Sequence, residues 1–383
     1  MTVTAARGFR AAGVAAGLKT SGEADVALVV NDGPLTAAAG VVTANRVKAA
    51  PVLWTQQVLT YGAVRVVALN AGGANACTGP AGFADTHQTA EHVAAAHGCG
   101  AVEVAVCSTG LIGERLPMDR LLSGFDKAMA ALSAAGGDDA ADAIRTTDTV
   151  SKTTVVTQGA VRLGGMAKGA GMLAPELATM LCVLTTDAVA SPESLDRALR
   201  GAVRTTFDRL DTDGCMSTND TVLLLASGAS GVELDDDELT ALVRRACDDL
   251  AAKLLADAEG ASKFVTIHVR NAATENDAVS VGRAVARSNL LKCAIHGADP
   301  NWGRVLSAVG TTTAAFEPDA VDVAINGVWV CRDGAPGESR TLVDMSGRDV
   351  SIVVDLAAGE AEASVRTTDL TAAYVHENSA YST

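Results

Sequence analysis

Gly164-Gly165-Met166-Ala167-Lys168-Gly169-Ala170-Gly171-Met172-Leu173-Ala174-Pro175-Glu176-Leu177-Ala178-Thr179-Met180-Leu181 is the stretch on which the reading of this chain turns. It sets four glycines and one proline ahead of a small residue, Ala178, and a threonine that leads into an apolar run. Glycines permit close backbone approach and unusual dihedrals, and Pro175 fixes a turn. On composition alone this is a glycine-rich loop entering a buried strand at Met180–Thr185, with Thr179 as a cap.

The chain's 383 residues suffice for two to three domains or one large one. At 48% hydrophobic and 20% charged residues the chain can fill a sizeable core and is too apolar for disorder. Thirty Lys and Arg against 45 Asp and Glu give a net charge of −15, a field that repels phosphate backbones. The densest basic clusters are pairs such as Arg244-Arg245, and aromatics are only 3%, so nucleic acid is excluded as a partner. The longest apolar runs fall far short of the ~18 residues that cross a bilayer, so no membrane role is expected. Between Met1 and Ser21, Val14 and Leu18 are the only large apolar residues after Arg10, and Lys19 follows directly. That is too weak a hydrophobic region for a signal segment, and a cytoplasmic protein is expected. The eight cysteines never form a C-x-x-C pair and read as buried free thiols.

Strands are expected at Asp25–Val30, Val64–Leu69 and Val102–Val106, with helices at Phe83–Ala96 and Met118–Ala135. Beyond the glycine-rich stretch, a strand at Met180–Thr185 precedes a helix from about Pro192 to Thr206. The clearest helix is Asp237–Ala256, with Leu239, Leu242, Val243, Ala246, Leu250 and Leu254 at helical spacing behind the acids Asp235–Asp237. Phe264–Val269 reads as a strand, Asp277–Cys293 as a helix, and Val321–Val330 as a hairpin around Asn326-Gly327. Ser351–Leu356 and Glu362–Arg366 finish a sheet. The class is α/β or α+β in packed layers, and the pattern alone does not choose between them.

Three familiar signatures fail. His87-Gln88-Thr89-Ala90-Glu91-His92 has three residues between the first His and Glu where an inverted zinc-protease motif has two. In Gly164–Gly169 no G-K-[ST] closes a phosphate loop, and no G-x-S-x-G elbow occurs. No metal site is expected. Cys107 and Cys182 have no histidine nearby in sequence and read as packing thiols.

The run Met166–Leu181 closely resembles the cleavage-site signature of the ornithine acetyltransferase (glutamate N-acetyltransferase) family of arginine biosynthesis. The resemblance extends to Asn70–Ala76, Cys107–Gly113, Thr146–Thr149, Ser217–Thr221, Asp257–Gly260 and Gly297–Arg304. It continues in Arg366–Leu370 and Glu377–Thr383, so the blocks span essentially the whole chain. The resemblance implies a layered helix–sheet–sheet–helix core of the N-terminal-nucleophile kind with a second, smaller α/β domain. It implies self-cleavage between Ala178 and Thr179, giving an α chain 1–178 and a β chain 179–383 that opens on the nucleophile Thr179. The physics of the residues is compatible: a small Ala178 leaves its carbonyl accessible. A freed α-amine, with a reference pKa of about 7.7–8.0, can act as base to its own hydroxyl without a histidine.

Carried over residue by residue, Thr109 and Gly110 match the family's oxyanion hole, in a turn just after the strand Val102–Val106. Thr146, Lys168, Thr179, Glu259, Asn378 and Thr383 match its substrate contacts. Lys168 lies in the glycine-rich loop, and the C-terminal tail is expected to be docked although termini usually fray. Asp299–Arg304 reads as a rigid turn outside the site. The resemblance implies acetyl transfer from N2-acetyl-L-ornithine to L-glutamate through an acetyl-threonine, with no cofactor and an α2β2 assembly. Some members of the family also take acetyl from acetyl-CoA. The rival reading is an aminopeptidase or amidase of the same fold, which passes the acyl group to water.

Overall fold

The computed structural model describes residues 2–173 and 180–380. They divide into two compact units, Met1–Asp208 with Cys215–Leu254, and Arg209–Gly214 with Leu255–Ser382.

The first unit begins with β1 (Phe9–Val14), β2 (Val26–Asn31), β3 (Ala37–Val42), α1 (Ala50–Leu59), β4 (Val66–Ala71) and α2 (Gly79–His97). It continues with β5 (Val104–Thr109), α3 (Met118–Ala131), α4 (Gly137–Ala143), β6 (Lys152–Gln158) and β7 (Val161–Lys168). After the glycine-rich stretch come β8 (Leu181–Thr186), α5 (Pro192–Thr205), β9 (Thr221–Ala226) and α6 (Asp236–Ala256). Among the described residues the strands form two sheets, ordered β1-β2-β4-β5 and β3-β9-β8-β7-β6. The parallel pairs β4/β5 and β8/β9 are each bridged by a helical crossover, as parallel pairing requires.

The two sheets share one core. Leu181 and Val183 of β8 and Leu223 and Leu225 of β9 pack in the same cluster as Val26–Val30 and Val66–Leu69. On the other face of the five-stranded sheet, Leu184 and Leu250 of α6 crowd the space beside Gly165. α3 packs on β1 and β2, and α2 on β4 and β5, covering the four-stranded sheet. The unit is therefore layered helix–sheet–sheet–helix. Strands covered on both faces read as unbroken apolar runs rather than alternating ones, as in β2, β4, β8 and β9. The free edge of β5 is closed by α1: Trp54 Nε1 donates to Val104 O at 3.0 Å and Thr55 Oγ1 to Val106 O at 2.7 Å.

The second unit contains β10 (Phe264–Ala272), α7 (Glu275–Ala286), α8 (Asn289–His296), α9 (Trp302–Val309) and β11 (Asp322–Ile325). β12 (Val328–Arg332), β13 (Ala335–Pro336), β14 (Asp349–Asp355), β15 (Ala361–Thr368) and α10 (Ala372–Ala380) complete it. Its sheet runs β13-β12-β11-β14-β10-β15, with α7 packed on β10 and β15. The hairpin turns where expected, with Asn326 at φ 46° and Gly327 at φ 83°, the left-handed pair a two-residue turn needs.

Several expectations are corrected. The glycine-rich run is strand as far as Lys168, because β7 must pass close to its neighbours. A Cβ on Gly164 would lie 2.1 Å from Thr2 O, and one on Gly165 2.7 Å from Leu184 Cδ2. Lys168 is thus the last residue of a strand, not part of a loop. Likewise β5 runs on to Thr109, which ends the strand rather than sitting in the turn after it. The helix expected at Asp277–Cys293 is two helices, broken at Arg287; Ser288 caps the second by accepting from Leu291 N. The helix from Met118 stops at Ala131, where Leu132 turns extended. Asp299–Arg304 is a turn only to Asn301, which caps α9. Of the cysteines, Cys107, Cys182, Cys247 and Cys331 are buried, while Cys77, Cys215 and Cys293 are exposed.

Candidate active site

Strand register assembles the candidate site at one end of the five-stranded sheet. Lys168 at the end of β7 pairs with Leu181 at the start of β8, and Leu181 pairs with Thr221 at the start of β9. Met180 and Asp220 each lie one residue before those starts. Ala178 and Thr179 lie outside the described residues, as does Thr383.

Thr109 ends β5 in the facing sheet and is buried. Lys168 Nζ donates to Thr109 Oγ1 at 3.3 Å. An ammonium only donates, so Thr109 accepts in this contact and its own O–H can be given to another acceptor. Gly110 follows at φ 129°, and a Cβ there would lie 2.5 Å from Gly73 N, so the position admits only glycine. The backbone beside the pair is pinned from both flanks. Gly73 N donates to Thr109 O at 2.9 Å, and Ser108 Oγ donates to Asn70 Oδ1 at 2.6 Å. Asn219 Nδ2 donates to both Ala74 O (2.7 Å) and Ser108 O (2.8 Å).

Lys168 is buried, and its charge acts on two carboxyl groups, Asp148 and Asp220. Burial alone would raise Asp148, but the Lys168 and Lys152 ammoniums and the Gly169 N–H hold it down, to about 2. Lys152 Nζ lies 2.5 Å from Asp148 Oδ1, and both side chains are fully buried. The same carboxylate accepts from Thr146 N at 3.0 Å, which places Thr146 at the margin of this charge cluster. Asp220 behaves oppositely. Burial pushes its carboxyl well above the usual range, and the Met180 N–H, the Lys168 charge and the Ser217 and Thr43 hydroxyls only partly offset this.

In the second unit Glu259 sits in the turn after α6, where Asn378 Nδ2 donates to its Oε2 at 3.0 Å. The C-terminal helix is docked on this turn: Thr371 Oγ1 donates to Gly260 O at 2.6 Å. Gly260, at φ 59°, lets the helix approach so closely that a Cβ would fall 2.2 Å from Tyr374 N.

A family model described as the ArgJ family matches residues 10–383. The chain belongs to the ArgJ family. It is 67% identical over 382 residues to the "Arginine biosynthesis bifunctional protein ArgJ" of Streptomyces coelicolor, covering 100% of both chains. It is similar to a solved ornithine acetyltransferase of Mycobacterium tuberculosis complexed with ornithine, at 62% identity, over 47% of this chain and 96% of that one, with a TM-score of 0.45. A solved ArgJ protein of Bacillus halodurans is 32% identical over 51% of this chain and 97% of that one, with a TM-score of 0.49.

Among the sequence-expected residues of this ArgJ-family chain, Thr109, Gly110, Lys168 and Thr146 therefore lie in the first unit. Glu259 and Asn378 lie, in contact with each other, in the second. Sequence reasoning passed over Asn70, Ser108, Asp148, Asn219 and Asp220. Each stands inside a block quoted for the family resemblance, but a carboxylate or amide in a short polar run gives no sign that tertiary contacts will bury it. The cysteines near the site are poor nucleophiles: burial pushes Cys107 up to about 12 and Cys182 well above its ordinary value. Ser262, His296 and Asp369 cluster in the second unit without forming a triad. Ser262 Oγ and His296 Nδ1 both meet Asp369 Oδ2, whereas a triad serine needs the opposite ring nitrogen. No helix among the described residues is long and apolar enough to cross a membrane.

Proposed function

We propose that this chain is a self-processed N-terminal-threonine acetyltransferase that moves the acetyl group of N2-acetyl-L-ornithine to L-glutamate. Full-length identity to proteins named for arginine biosynthesis carries the pathway, and the solved relative with ornithine supports the substrate class. In the cleavage step Thr179 Oγ attacks the Ala178 carbonyl carbon, the C–N bond breaks as an ester forms, and water hydrolyses the ester. The products are a carboxyl at Ala178 and an α-amine at Thr179. In the first transfer the amine takes the hydroxyl proton while Oγ attacks the acetyl carbonyl, and ornithine departs with that proton. Glutamate then attacks the acetyl-threonine by the reverse route.

The observation that supports the chemistry most is the Lys168–Thr109 contact, which leaves the Thr109 O–H, with the Gly110 N–H, to receive the developing alkoxide. Lys168 and Thr146 are substrate contacts in this reading. Glu259, Asn378 and Thr383 are assigned on the family resemblance alone. The relatives' designation as bifunctional supports a second activity, which we assign as acetyl-CoA-dependent synthesis of N-acetylglutamate. The α and β chains are assigned to an α2β2 assembly in the cytoplasm.

Two measurements test this. Denaturing electrophoresis is expected to show two fragments divided at 178/179. Initial rates with N2-acetyl-L-ornithine are expected to depend on glutamate; ornithine release at the same rate without it would turn the assignment to a hydrolase.

A further inference from the structure

Thr146 and Lys168 come from separate segments, one from the turn between α4 and β6 and the other from the end of β7. A single side chain joins them. Asp148 Oδ2 accepts from Thr146 N at 3.0 Å, and Asp148 Oδ1 accepts at 2.7 Å from the N–H of Gly169, the residue after Lys168. The carboxylate is wholly buried, so neither bond is shared with solvent. Its own place is set from two sides. Lys152, the first residue of β6, donates to Oδ1, and strand register puts it opposite Ala167, one residue before Lys168. Arg145 holds the main chain of the turn, donating to Asp148 O at 3.0 Å and Thr149 O at 3.3 Å.

A buried ion pair is a poor device for stability, because desolvation offsets much of its attraction and a well-packed apolar pair often does as well. What an apolar pair cannot supply is two acceptor atoms on one planar group. With both oxygens on the same carboxylate, each bond fixes the direction of the other. Lys168 is then held on both sides, through its ladder pairing with Leu181 and through the Gly169 N–H that follows it.

We propose that Asp148 is a positioning residue of the substrate site, its buried carboxylate setting the spacing between Thr146 and Lys168 so that both meet one amino-acid substrate at once. The inference rests on the reading that Thr146 and Lys168 touch substrate; Asp148 acts through them. Donor and acceptor of the acetyl group are both α-amino acids or their derivatives and occupy the site in turn, so one brace serves both half-reactions. Contacts placed in advance spare the substrate the cost of ordering them on binding.

The test is the double variant Asp148→Asn/Lys152→Met. An amide has one oxygen, so it accepts from Thr146 N or from Gly169 N, and its NH2 faces whichever is left. Removing the ammonium as well avoids stranding a buried cation, so the variant is expected to melt closer to wild type than Asp148→Asn alone. KM for N2-acetyl-L-ornithine and KM for L-glutamate are both expected to rise about 10-fold or more, with kcat changed by less than about threefold. Asp148→Glu serves if the double variant does not fold or cleave. It keeps the charge but carries the oxygens one methylene further, and the same rise in both KM values is expected. A folded, cleaved variant with wild-type KM overturns the proposal, as does a fall in kcat alone or a rise in KM for one substrate only. Thr146→Val and Lys168→Met check the underlying reading separately: if neither raises KM, those residues do not touch substrate, whatever the Asp148 variants show.

Discussion

Lys168 Nζ and Thr109 Oγ1 meet at 3.3 Å although 59 residues separate them, and the contact joins the last residue of one strand to the last residue of another in the facing sheet. It fixes the hydroxyl as acceptor from the ammonium and leaves its proton for another acceptor, which in the proposed function is the reacting oxygen. Thr109→Ala is therefore expected to lower kcat by about 10²–10³-fold, the usual cost of one oxyanion donor, while leaving cleaved, folded protein. Steady-state rates beside a thermal melt check this; an unchanged kcat removes Thr109 from the oxyanion hole.

Lys168→Met is expected to weaken substrate binding and shift the acidic limb of kcat/KM upward. In the proposed function Lys168 is a cation near the Thr179 amine and disfavours its protonated form, so removing the cation raises the pKa of the base, and the limb follows. The wild-type limb should lie at or below the α-amine reference of about 7.7–8.0. A single-turnover profile flat between roughly pH 6 and 9 would instead exclude the amine as base.

Asp148 makes stability depend on acid. Its folded pKa of about 2 lies below the ordinary 3.8. The stabilisation, about 2 kcal/mol, is complete above the unfolded value and is lost as pH falls from about 4 towards 2. Urea midpoints between pH 2 and 6 should show that slope. Asp148→Asn should flatten it and lower stability at pH 6, because Lys152 is left buried without its anion.

Thr179→Ala is expected to give a full-length chain without acetyl transfer. Thr179→Ser should retain some cleavage and some turnover, since the hydroxyl survives and only the stiff β-branch is lost. Two fragments and activity from the alanine variant would send the nucleophile elsewhere.

Cleavage before Thr179 would separate β7 from β8, which are hydrogen-bonded neighbours over Leu163–Lys168 and Leu181–Thr186. The fragments are accordingly expected to co-elute in native buffer and part only in denaturant. Light scattering at the mass of two αβ pairs would agree with the proposed assembly.

Much of the fold was legible because its signals are local. The apolar spacing of Leu239–Leu254 marks α6, and Asp235 caps it by accepting from Glu238 N at 2.8 Å. Asn326-Gly327 announces its hairpin because only those backbone angles fit. β7 was hidden because Gly164 and Gly165 are there for close packing, and glycine in a sequence speaks first of turns. β3, Ala37–Val42, was hidden because small residues carry little periodic contrast.

Read alone, the residues carry the family, through blocks spread over the whole chain, and with it the expected nucleophile Thr179, the pair Thr109 and Gly110, and Lys168. Those inferences need only residue identity and order. What surrounds them came from the folded chain alone: that Lys168 touches Thr109, that Asp148 is held ionised by two lysines, and that Asp220 is buried with one oxygen on Met180 N. The reason is physical. A side chain's charge and hydrogen-bonding state depend on desolvation and on partners tens of residues away, which strand register brings together and which no local stretch of sequence encodes.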